Sequence, residues 1–62
     1  MMNEKELAGI AAMYLDKGYS SEDLRYGDDL YDATDEDKDL CVELYHELKE
    51  IGMGNFIVKY KV

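Results

Sequence analysis

A small α+β mini-domain is the fold class that the sequence predicts, and three observations predict it. Asn3 with Glu6, Ser20 with Asp23 and Thr34 with Asp37 each stand as a capping pattern ahead of apolar residues, which is how a helix start is written in sequence. Two of the segments that follow carry apolar side chains at helical spacing. The chain then closes on NFIVKYKV, residues 55 to 62, where Phe56, Val58, Tyr60 and Val62 alternate with Ile57, Lys59 and Lys61. That period of two marks a half-buried strand.

The first helix is expected from Glu4 to Lys17. Leu7, Ala8, Ile10, Ala11, Ala12, Tyr14 and Leu15 cover an arc of roughly 200° at about 100° per residue, wide enough for a central core element. Lys17 and Gly18 supply its end, with Tyr19 placed to fold back on the last turn. Ser20 to Asp23 then opens a short helix or 3₁₀ turn carrying Leu24 and Tyr26 and stopped by Gly27. The competing reading of this stretch is a hairpin, LRY-GDD-LYD, turning through Gly27 to Asp29. From Thr34 a second long helix is expected to run to about Ile51. Its Leu40, Cys41, Leu44, Tyr45, Leu48 and Ile51 form an apolar arc of about 140° that can dock on the first helix. Gly52, Met53 and Gly54 break it ahead of the terminal strand. A lone strand needs a mate, so this one is expected to pair with the LYD segment, a second copy of the chain or a partner's sheet.

The chain has 62 residues and a net charge of −8. It has no proline, repeat or linker to divide it, so residues 1–62 read as a single domain. A domain of this size buries only about 60% of the surface its unfolded chain exposes, and it leans on a good core or a partner. With one cysteine, Cys41, and one histidine, His46, neither an internal disulfide nor a Cys/His metal site can be assembled. The amino-terminal stretch MMNEKELAGIAAMYLDKG has no basic leader followed by a long apolar run. It reads as neither signal peptide nor membrane span, and the chain is expected in the cytoplasm.

The charge is concentrated. Residues 28 to 50 hold ten acids against two lysines, and DDLYDATDEDKD alone, residues 28 to 39, packs seven acids. Asp35, Glu36, Asp37 and Asp39 have a local reason, since carboxylates at a helix start meet unpaired N–H groups and the positive end of the dipole. Asp28, Asp29 and Asp32 have none beyond turn chemistry. An EF-hand does not account for them: counted from Asp35 the loop has Leu40 where glycine must turn it and His46 where a bidentate Glu must ligate, and counted from Asp32 it has Asp37 at the glycine position. No metal and no cofactor are expected. Cys41 and His46 lie about 140° apart around their helix, so they form no dyad, and Cys41 reads as a small buried hydrophobe. The sequence therefore predicts a binding protein rather than an enzyme.

Glu36, Asp39, Glu43, Glu47 and Glu50 share an arc of about 80° on the second long helix as a carboxylate stripe, and the acidic balance of the chain argues against direct contact with nucleic acid or an anionic membrane, since both require a basic footprint. The expected partner is a basic protein, one that handles nucleic acid and whose groove an acidic surface can fill as a DNA mimic. Contact residues expected on that face are Asp28, Asp29, Asp32, Glu36, Asp39, Glu43 and Glu47, with Tyr26 and Tyr31 as anchors. By analogy of size and charge, the function expected is that of an inhibitor or adaptor of the kind phages and other mobile elements encode. The alternative expectation is a homodimer or higher homo-oligomer joined through the strand residues Phe56, Val58, Tyr60 and Val62, with the acids serving solubility.

Overall fold

The computed structural model describes residues 2–62, and none of them lies in a strand. Four helices, α1 (Glu4–Asp16), α2 (Ser21–Arg25), α3 (Asp35–Ile51) and α4 (Met53–Tyr60), follow one another, with a 3₁₀ turn at Asp28–Leu30 between α2 and α3. The fold is all-helical, which corrects the α+β expectation.

Local chemistry explains the first three helices. Asn3 Oδ1 accepts from the N–H of Glu6 at 2.8 Å to start α1. At its other end, Gly18 N–H reaches Leu15 O at 3.0 Å and Tyr19 N–H reaches Tyr14 O at 2.9 Å. Gly18 takes the left-handed conformation this requires, at φ 82, and the arrangement is a Schellman cap. Its accompanying apolar contact is Tyr19 on Tyr14, with ring centroids 5.4 Å apart. Ser20 and Asp23 form a reciprocal capping box that starts α2, and this helix with the 3₁₀ turn replaces the hairpin alternative. Thr34 caps α3 by accepting from Asp37 N–H at 3.1 Å.

The two long helices are joined by contacts that climb both in the same order. Met2 N–H donates to Asp37 at 3.3 Å near both starts, the Cys41 thiol donates to Leu7 O at 3.4 Å further up, and Tyr45 Oη donates to Tyr19 O at 2.5 Å beyond the end of α1. Helices that run in the same sense need a crossover, and α2 with the 3₁₀ turn provides it. Leu7, Ala8, Ala11 and Tyr14 of α1 meet Cys41, Leu44, Tyr45 and Leu48 of α3, while Leu24 and Leu30 close the core from the crossover. Each fully buried leucine contributes about 1.5–3 kcal/mol.

The terminal run is α4 because the same residues satisfy a helical period. Met53, Phe56 and Tyr60 fall on one face, with Phe56 at 0% exposure and the other two packed against the core. A single strand would have left its N–H and C=O groups unpaired along one or both edges, whereas a helix pairs them internally. Gly52 makes the reversal from α3 alone. Its φ of 89 and ψ of 155 lie in a region that is nearly glycine-only, and its N–H and C=O serve Leu48 and Phe56 of the two helices. Asn55 Nδ2 adds a bond to Ile51 O at 2.8 Å, covering a carbonyl at the end of α3.

Candidate functional site

The acidic segment does not act as one surface, because the fold divides its carboxylates into engaged and free. Asp37 is the most engaged: it is 4% exposed, and its carboxylate accepts the Met2 N–H, tying the amino-terminal end to the start of α3. Asp29 accepts the hydroxyl of Tyr14 at 2.9 Å. Burial, and then that bond to Asp29, push the Tyr14 phenol above its ordinary pKa. Asp28, Asp29, Asp32 and Asp37 surround an open recess completed by Met2, Ala33 and Thr34. Among the described residues no group of His, Cys, Asp and Glu converges as metal ligands.

The stripe on α3 is likewise divided. Asp39 receives Arg25 Nη1 of α2 at 2.6 Å. Glu47 receives Lys59 Nζ through one oxygen and the Tyr60 hydroxyl, at 2.6 Å, through the other, so that α4 is clasped to α3. The bonds from Lys59 and then Tyr60 hold the Glu47 carboxyl below its usual range, while the same contact with Glu47 raises the Lys59 and Tyr60 pKa values. Two of the expected contact residues are therefore interhelix clasps. Glu36, Glu43 and Glu50 remain exposed and without an internal partner among the described residues. Their spacing of seven residues corresponds to a rise of about 10.5 Å, against one phosphate per about 3.4 Å on a DNA strand. The stripe is no phosphate ladder.

What the crossover leaves open is a different surface. Tyr26 closes α2 and Tyr31 closes the 3₁₀ turn, and they stand 78% and 79% exposed. Asp28 and Asp32 lie beside them in sequence, exposed and without an internal partner among the described residues, and Glu36 follows on the first turn of α3. Of the residues expected to bind a partner, Tyr26, Asp28, Tyr31, Asp32, Glu36 and Glu43 are thus free to do so. Asp29, Asp39 and Glu47 already hold bonds within the chain.

The residues expected to join a homo-oligomer are also divided. No strand is present among the described residues, which corrects the expected pairing of residues 56 to 62 along a strand edge. Phe56 is core and Tyr60 is bound to Glu47, whereas Val58 is 76% exposed and Val62 is partly exposed. Cys41 sits in the core as expected, its thiol pushed up to about 12, first by burial and then by the charge of Asp29.

Sequence reading missed Arg25 and Lys59 as partners of the stripe. A signal was present: they are the cations on the segments flanking α3 that an Asp39 or Glu47 at the edge of the docking arc can reach. Comparison with known proteins finds no matching family model, no matching curated protein and no matching solved structure. The chemistry of the surface itself has to carry the functional reading.

Proposed function

We propose that this protein is a small binding module, an inhibitor or adaptor, whose acidic crossover face covers a basic surface of a nucleic-acid-handling protein. The observation that carries the reading is the exposure of Tyr26 and Tyr31, at 78% and 79%, in the same short stretch of chain as the exposed Asp28 and Asp32, whose carboxylates no internal contact uses among the described residues. Large rigid rings with a hydrogen-bonding tip are the residues that anchor interfaces, and a surrounding field of one sign steers an oppositely charged partner. Mimicry of a duplex by the α3 stripe is the weaker form of the proposal, because Asp39 and Glu47 are held by Arg25 and Lys59. The face on offer runs from Tyr26 to Glu36.

The test is capture from a nuclease-treated cell lysate at about 0.1 M salt with wild-type protein and with the charge-reversed triple variant Asp28→Lys, Asp32→Lys, Glu36→Lys. A basic nucleic-acid-binding protein held by the wild type, absent from the variant and released as the Debye length falls to about 3 Å at 1 M salt, is the expected result. Identical proteins on both columns would refute the assignment.

A further inference from the structure

We propose that α4 is an exchangeable arm: a second copy of this chain seats its own α4 where this one lies, and the reciprocal exchange, hinged at Gly52, makes a dimer. Gly52 is the single residue between α3 and α4, and it is already bonded as a helical residue on both sides. Its N–H donates to Leu48 O at 2.9 Å and its C=O accepts from Phe56 N–H at 3.0 Å. Only its torsions, φ 89 and ψ 155, depart from the helix. Rotating them into the helical well joins α3 and α4 into one helix from Asp35 to Tyr60, about 39 Å long at about 1.5 Å per residue. The longest extent of the closed domain is 28 Å, so the arm then projects clear of its own core.

The closed form leaves helix bonds unmade. No side chain caps the start of α4, and the N–H groups of Met53, Gly54 and Asn55 donate to no backbone carbonyl among the described residues. In the straight helix they donate to Lys49, Glu50 and Ile51. Opening alone is unfavourable, because it uncovers Phe56, which is 0% exposed, and parts Lys59 and Tyr60 from Glu47. A second copy restores both. Lys59 and Glu47 stand at equal distances along the chain from Met53, so two straight helices crossing antiparallel at that residue set each Lys59 against Glu47 of the other copy. The dimer keeps the seat of α4 and gains the helix bonds. Glycine at 52 and 54 weakens the straight helix, so the closed form holds in dilute solution and mass action drives the exchange as concentration rises.

The experiment refolds the wild type from urea at about 1 mM, where mass action favours the dimer, as an equal mixture of isotopically light and heavy chains. A carbodiimide then condenses the Lys59 amine with the Glu47 carboxyl into an amide, the water passing to the reagent, and trypsin releases the joined peptides for mass spectrometry. The expected result is joined pairs with one light and one heavy half, in a fraction eluting at twice the monomer mass. Closed chains give pairs of one isotope only. Gly52→Ala adds a β-carbon that meets nothing within 4 Å, but its backbone is excluded from the torsions of the closed hinge. It should raise the dimer fraction at equal concentration by about tenfold or more. Single-isotope pairs alone in the wild type would overturn the exchange. A dimer fraction in Gly52→Ala no larger than that of the wild type would overturn Gly52 as its hinge. No residue of the crossover takes part, so either outcome leaves the acidic-face reading to its own test.

Discussion

Gly27 shows how one missing side chain organises the crossover. A β-carbon there would lie 2.3 Å from Tyr14 Oη and 2.8 Å from the carbonyl of Asp23, so the hydroxyl reaches Asp29 only because the position is bare. Gly27 needs no unusual backbone, with φ −78 and ψ 169; it is required by close approach alone. We predict that Gly27→Ala opens the Tyr14 to Asp29 bond and costs about 1–3 kcal/mol, the usual scale of overpacking. Urea denaturation measures it. The same substitution at Gly54, where an added β-carbon meets nothing within 4 Å, should be neutral or stabilise by up to about 1 kcal/mol. Equal effects at the two glycines would refute the packing explanation. In the sequence Gly27 reads as a helix stop, and the contact with Tyr14 is hidden because it joins two elements.

Between elements, the Glu47 clasp makes the docking of α4 depend on pH. Because the folded carboxyl titrates below its ordinary range, its contribution is complete above the unfolded value of about 4.3 and is lost as pH falls through the folded one. Lys59 and Tyr60 are raised, so their share is complete below about pH 10 and is lost as pH rises further. Glu47→Gln should therefore be less stable than wild type at pH 7, and the gap should narrow as pH is lowered beneath about 4. Urea midpoints of both proteins at the two pH values decide it: a gap of constant size would mean that the carboxylate charge does not hold α4. The clasp also explains why the stripe on α3 misleads as a surface. A helical wheel places Asp39 and Glu47 beside Glu43, but α2 and α4 bring Arg25 and Lys59 to those two carboxylates.

For the molecule as a whole, a charge of −8 within extents of 28 × 22 × 14 Å sets the response to salt. At about 0.01 M ionic strength the Debye length is about 30 Å, so every carboxylate feels the others across the whole domain. At about 0.15 M it is about 8 Å, and only near neighbours still interact. Self-repulsion destabilises a compact state, so the melting temperature should rise between those two concentrations, whereas binding to the proposed basic partner should weaken. Circular dichroism melts at both concentrations check the first half. A fall in melting temperature would show that the pairs Arg25 to Asp39 and Lys59 to Glu47 outweigh the repulsion.

By itself the sequence determined α1 and α3, their starts and their buried faces, and the capping start at Ser20, while it left the stretch after Ser20 open between a helical turn and a hairpin. Caps such as Asn3 with Glu6, the turn through Gly18 and Tyr19, and the periodicity around Leu44 are local, resting on neighbours a few residues away. It also determined where the acids and the tyrosines of the crossover lie along the chain. Only the tertiary structure decided that the run from Met53 to Tyr60 is helical, because Phe56 and Tyr60 fit both periods and the choice depends on what stands opposite them. It likewise decided which carboxylates are free, since whether Asp29, Asp37, Asp39 and Glu47 face a partner or bind Tyr14, Met2, Arg25 and Lys59 is settled by the docking of distant elements.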